Sequence, residues 1–236
     1  MLNSSELVRS IIEGKDPEKI KANFVKIKRE IYVLIDSDDD YKHLTSFEAR
    51  TNPKLAQERQ DLMQTALSSV LNSLNYINNE MALLHHTSYY DKKEISKILL
   101  ENGANPNVLD QNGDTPAHHV INSIKAAIKH EIGAGMLEKY RENIAKDYLK
   151  LYSPILGLLV SYGADLNLPN DQGITASEDL REVINKFTKD SSHIKLDDGS
   201  FKAAYKDSLI EPKQNYSTKN FQQKAEKENK GCCIMM

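Results

Sequence analysis

The sequence predicts an all-α protein: a short stack of helical repeats, capped by N-terminal helices over residues 1–77 and followed from residue 190 by a disordered tail. Three observations lead there. The segment Ile95–Asn107 returns as Ile155–Asn167, with an Asp-Gln-Asn-Gly or Asn-Asp-Gln-Gly turn after each copy. Apolar residues before the repeats recur at spacings of three and four, which lines one face of a helix. After Lys189 that periodicity fades, and Ser, Lys, Asp, Gln and Asn dominate.

The N-terminal elements come first. Ile20, Phe24, Ile27, Ile31 and Leu34 form one stripe, and the acidic run Asp36–Asp40 interrupts it. Thr45-Ser-Phe-Glu48 has the form of a capping box that would open another helix. Leu62, Ala66, Val70, Leu74 and Ile77 make a second stripe leading into the repeats. Two or three repeats bury little core by themselves, so these helices are expected to shield the open end of the stack.

In the repeat region, residues 78–189, the apolar positions Ile95, Ile98 and Leu99 pack a helix on its neighbour. Gly103 and Gly163 end the helices in a left-handed conformation. The segment Gly113-Asp-Thr-Pro-Ala-His118 starts the next unit: Thr115 caps, Pro116 suits a first helical turn, and His118 can bridge loops by hydrogen bonding. These motifs resemble the ankyrin repeat, with its Thr-Pro-Leu-His helix start, its Leu-Leu helix end and its Gly-Ala-Asp turn. The first unit carries Ala82-Leu-Leu-His85 in place of that start, and the third stops at Gly173-Ile-Thr-Ala-Ser177 and a helix to about Phe187. Two full repeats and one partial repeat are expected. The middle unit holds an excess of roughly 27 residues around 129–147, including the charged helical stretch Met136–Ala145, as an insertion on the surface. The resemblance implies a concave protein-binding surface, on which Tyr89, Tyr90, Asp110, Asn112, Asp114, Asn170 and Asp171 are the expected partner contacts.

The last residues, Lys230-Gly-Cys-Cys-Ile-Met-Met236, resemble a CaaX prenylation box. A terminal methionine implies farnesyl on Cys233, added by a cellular farnesyltransferase whose zinc converts the thiol to a thiolate. Loss of Ile234–Met236 and methylation of the new carboxyl end would follow. One lipid chain anchors only marginally. Cys232 is placed for reversible palmitoylation, and five lysines against two glutamates over 213–230 add attraction to anionic lipid.

Composition excludes other classes. A net charge of −3 and a pI near 6.2 give no electrostatic case for nucleic acid. No apolar run reaches the length of a membrane span, and residues 1–6 carry neither a secretory pattern nor a myristoylation glycine, so synthesis in a cytosol is expected. The two cysteines are adjacent, which rules out a mutual structural disulfide or a zinc site. His85 and His118 occupy the repeat's own histidine position, and no cysteine or acidic partner follows the pairs His85-His86 and His118-His119 at ligand spacing, so no metal site is expected; Asp36–Asp40 lacks the glycine and closing glutamate of a calcium loop. No cofactor or catalytic residue is expected, since no nucleophile elbow, phosphate loop or zinc-protease helix is present.

The expected function is therefore a non-enzymatic adaptor: repeats recognise a protein, and a lipidated tail places it on the cytosolic face of a eukaryotic membrane. Ankyrin repeats combined with a CaaX end are similar to translocated effectors of Legionella-type intracellular bacteria. The competing expectation gives residues 1–77 an enzymatic or F-box-like, ligase-recruiting role, although no Leu-Pro start of that kind is found there.

Overall fold

The computed structural model describes residues 4–13, 16–47, 51–73, 81–132 and 136–187. Among these are eight α-helices and no β-strand: α1 (Ser4–Ile12), α2 (Pro17–Ser37), α3 (Pro53–Asn72), α4 (Leu83–Tyr89), α5 (Lys93–Glu101), α6 (Pro116–Glu131), α7 (Glu138–Ser161) and α8 (Ala176–Phe187). A 3-10 turn at Lys42–Thr45 follows α2. The tail and both cysteines lie outside the described residues.

The stack follows from the apolar pattern. Within a unit α4 pairs with α5 and α6 with α7; between units α4 lies on α6, α5 on α7, and α8 covers α6 and α7. Ile95, Ile98, Leu99 and Leu100 of α5 and Ile155, Leu156, Leu158 and Leu159 of α7 are buried in one core, which continues through Leu7, Ile11 and the α2 stripe. Helices α5 and α7 close alike: Ala104 N–H donates to Leu99 C=O and Ala164 N–H to Leu159 C=O, each at 3.0 Å, past Gly103 and Gly163 at φ of +96° and +92°.

The N-terminal stripes are shifted from expectation. In α2 the buried residues are Ile20, Phe24, Ile27, Ile31 and Ile35, while Leu34 is 51% exposed. At roughly 100° per residue, positions 34 and 35 lie about equally far to either side of the stripe, so spacing alone does not choose between them. In α3 Leu67, Ser68 and Leu71 are buried and Leu62, Ala66 and Val70 are half-buried; the face is turned by one residue, and Leu74 and Ile77 lie outside the described residues. Thr45 does not open a helix. Its hydroxyl donates to the Asp36 carboxylate and to Lys42 C=O, Glu48 is outside the described residues, and α3 is capped by Asn52, whose side chain accepts from Lys54 N–H at 3.0 Å.

One polar contact shows how α3 meets the stack. Asn107 Oδ1 accepts from Asp165 N–H at 2.7 Å, two residues past the glycine that ends α7. Asn72, the last residue of α3, makes the same contact one unit earlier, accepting from Asn105 N–H at 2.7 Å, two residues past Gly103. Beside it Gln64 Nε2 donates to Asn102 C=O at 3.1 Å. Helix α3 thus supplies the polar tie of a preceding repeat. Asn72→Ala is expected to cost about 1–2 kcal/mol by leaving the Asn105 amide without its acceptor, read as a lower urea midpoint with an unchanged slope.

Among the described residues of the insertion, 129–131 and 138–147 are helical. Helix α6 has 16 residues against seven in α4, and α7 has 24 against nine in α5, so the insertion lengthens both members of one hairpin. Ser123 Oγ donates to Tyr152 Oη at 2.9 Å across it. Pro154 sits inside α7, one residue after the position where α5 begins in the aligned repeat, so it marks the start of an ordinary second helix onto which the extension has been added.

Candidate functional site

The first two units begin with a histidine that is consumed structurally. His85 Nδ1 accepts from Ala82 N–H at 3.1 Å, and Nε2 lies 3.0 Å from Val108 C=O and 3.1 Å from Asp114 C=O. A carbonyl cannot donate, so the proton sits on Nε2 and the ring is neutral. His118 repeats this one unit on: Nδ1 accepts from Thr115 N–H at 3.1 Å, and Nε2 reaches Ile174 C=O at 3.1 Å. Burial, followed by repulsion from His119, pushes His85 down to about 4. At the third unit the equivalent residue is Glu178, which turns back on its own cap. Glu178 N–H donates to Thr175 Oγ1 at 3.1 Å and its carboxylate accepts from Thr175 N–H at 3.0 Å. The bonds its carboxylate accepts from the Thr175 amide and, at 2.9 Å, from the Thr175 hydroxyl hold its pKa below the usual carboxylate range. A residue that reaches back rather than forward suits the last unit of the stack.

The turn tips are stacked in the same register. Asp110 Oδ1 accepts from Asn112 N–H at 2.8 Å and from Asp114 N–H at 2.9 Å, while Asn170 Oδ1 accepts from Gln172 and Ile174 N–H at 3.0 Å. The tips are joined by Asp171 N–H donating to Asn112 C=O at 3.0 Å and by Asn170 Nδ2 donating to Asp114 Oδ1 at 2.8 Å. This sorts the expected contacts. Asp110 is 8% exposed and its carboxylate is spent inside the turn; Asp114 and Asn170 are half-buried and spent on each other; Asn112 and Asp171 are the exposed tips.

Tyr89 and Tyr90 lie at the end of α4 with ring centroids 5.1 Å apart. Tyr90 also meets His86 at 4.7 Å, and Tyr89 faces His119 of α6 at 6.5 Å. His119 Nε2 lies 2.9 Å from Asp110 Oδ2 and so joins the aromatic row to the first turn. Burial acts to raise the Asp110 carboxyl, but the His119 hydrogen bond and the Asn112 and Asp114 amides outweigh it and hold the group below its usual range. His86 is shifted down by burial and by Lys92, and its buried Nδ1 has no partner. The result is an α4–α6 face carrying one 56%-exposed tyrosine, three half-buried rings and a carboxylate beneath. Sequence reasoning missed His86 and His119, because it gave only His85 and His118 a place in the repeat and left their neighbours without a role.

Asp110, Asp114 and His119 bring one ligand atom each within 4.8 Å of one another. Every one of those carboxylate oxygens already accepts a hydrogen bond: Asp110 from two amides and His119, Asp114 from Asn170 and, at 3.5 Å, from Asn122. The donors account for the cluster without an ion.

No helix among the described residues is long and apolar enough to cross a membrane. No curated protein matches the chain. The family model described as ankyrin repeat matches residues 79–111, the span that holds α4, α5 and the first turn. The geometry of that span returns at an offset of 60 residues, from Ile155 through the turn at Asn170–Gly173. Residues 79–111 are an ankyrin repeat, and the chain folds as an all-α, ankyrin-type stack with a protein–protein interaction role.

Proposed function

We propose that this chain is an adaptor that captures a protein on its α4–α6 face and carries it to the cytosolic side of a eukaryotic membrane through lipid on Cys233. The observation behind the recognition half is the row His86–Tyr90–Tyr89–His119, which presents aromatic rings on a rigid helix pair beside the exposed tips Asn112 and Asp171. Exposed rigid aromatics give contact area at low entropic cost, as interface anchors do. The reading is non-enzymatic: the carboxylates gathered at this face, Asp110 and Asp114, are tied up in the turns rather than poised toward open space.

The address half rests on the Cys-Ile-Met-Met run at 233–236, with Cys232 beside it for a second acyl chain. Such a run is a prenylation signal only where its methionine is terminal, so intact mass from eukaryotic cells is the first reading. Delivery into those cells by an intracellular bacterium fits the same architecture.

The two halves separate experimentally. A tagged full chain is expressed in human cells as wild type, Cys233→Ser and Tyr89→Ala/Tyr90→Ala, followed by membrane fractionation, intact mass and proximity labelling. Cys233→Ser is expected to lose the farnesyl mass and the membrane fraction while still enriching the partner from cytosol. The tyrosine variant is expected to stay on the membrane and lose the partner by about tenfold or more. A wild-type chain without added lipid sinks the address; unchanged capture by the tyrosine variant sinks the assigned face.

A further inference from the structure

Away from the α4–α6 face, the lengthened hairpin and α8 border a groove. Two cavities of about 470 and 500 Å³ meet there, sharing Lys186 and Phe187 of α8. Ile132, Val183 and Phe187 form an apolar floor, and Lys129, Lys186 and Arg141 stand along it.

The charges are not balanced locally. Lys125 is taken by Asp179 at 2.7 Å, Glu142 is held by Lys146 at 2.8 Å, and Glu138 has an interaction of its own. Glu138 and Glu182 stand on the rim against three cations, Lys129, Lys186 and Arg141. None of Lys129, Lys186 and Arg141 lies within ion-pair distance of a carboxylate among the described residues. Lys186 instead sits over the Phe187 ring at 5.5 Å. Arg141 carries the sharper signal, because its Nε is buried with no acceptor. A buried charged donor in that state is costly, and a planar guanidinium is suited to a carboxylate.

We propose that this groove docks an acidic peptide segment of a partner protein. A glutamate or aspartate carboxylate of the peptide accepts from the Arg141 guanidinium, with Lys129 and Lys186 flanking it, and a bulky apolar side chain covers Ile132 and Phe187. An extended segment fits better than a free anion, because an anion would leave the apolar floor wet. The groove exists because of the insertion, whose lengthened α6 and α7 provide Lys129, Ile132 and Arg141. It is separate from the α4–α6 face, so this site stands whether or not that face binds the adaptor's cargo.

The test uses the full chain and a fluorescein-labelled peptide, Asp-Glu-Leu-Phe-Asp-Glu, followed by anisotropy. Saturable binding that weakens with salt is expected, with little binding of the matched Lys-Lys-Leu-Phe-Lys-Lys peptide. Arg141→Met, which keeps the apolar stem, is expected to weaken binding by about tenfold or more. The double change Lys129→Glu/Lys186→Glu alters only exposed positions, is expected to leave the circular-dichroism melt in place, and should abolish binding. Equal binding of the basic peptide, no saturation, or an Arg141→Met chain that binds as wild type overturns the proposal. So does displacement of the probe by a synthetic peptide of residues 190–202 with the same dependence on Arg141, since the groove would then hold this chain's own tail.

Discussion

Acidifying the protein from pH 6.5 toward 4 is expected to remove about 3 kcal/mol of folding stability, and His85→Gln is expected to flatten most of that slope. In the fold His85 is held neutral near a pKa of about 4, against an ordinary value of 6.5. Between those values the unfolded chain binds a proton that the folded chain refuses. The contribution is therefore complete above pH 6.5, falls through the window, and changes no further below about 4. Burial is the main cause, and repulsion from His119 adds to it; Asp110 and the carbonyls of Asp114 and Val108 work the other way. A proton on Nδ1 would also displace the Ala82 amide from its acceptor. His86 is shifted in the same direction and leaves a residual slope in the variant. Glutamine can keep a donor toward Val108 C=O but does not titrate. Urea unfolding at several pH values, wild type against variant, measures the difference; parallel curves would show that another group carries the acid sensitivity.

How far such features could be read from the sequence depends on whether they are local. The Gly103 and Gly163 helix ends, the turns at Asp110 and Asn170, and the Thr115–His118 start are each decided within a few residues, and their motifs show them. The choice between Leu34 and Ile35 is not local. It depends on what α2 packs against, here the 3-10 turn with buried Leu44 and the adjoining α3. The same holds for the turned face of α3 and for Asn72, whose role is visible only once Asn105 is beside it. The Thr175–Glu178 box was legible as a Thr-x-x-Glu pattern, since it too is decided within one turn. At the candidate site the tyrosines could be named from sequence, but their link to Asp110 through His119 crosses two units. The groove of the hairpin extension joins residues some 60 positions apart and left no pattern in the chain.

The largest difference between two chemically identical substitutions is expected at the turn tips: Gly113→Ala should cost about 3 kcal/mol and Gly173→Ala about 1 kcal/mol. Both glycines occupy the same place in their units, at φ of +72° and +76°. A side chain there meets the same left-handed penalty at each, so backbone conformation alone predicts equal costs. Surroundings separate them. A Cβ on Gly113 would lie 2.8 Å from the Asp171 backbone N and 2.6 Å from its Oδ1, whereas nothing stands within 4 Å of one on Gly173. The Asp171 carboxylate can swing away, but the backbone N can retreat only by lengthening its bond to Asn112 C=O, which joins the two tips. Gly113→Ala thus strains the inter-repeat contact, while Gly173→Ala strains only its own turn at the open end of the stack. Thermal melts of the two variants beside wild type give the comparison. Equal shifts would mean that the tips are not rigidly stacked, and the surface offered by Asn112 and Asp171 would then be two separate loops rather than one preformed edge.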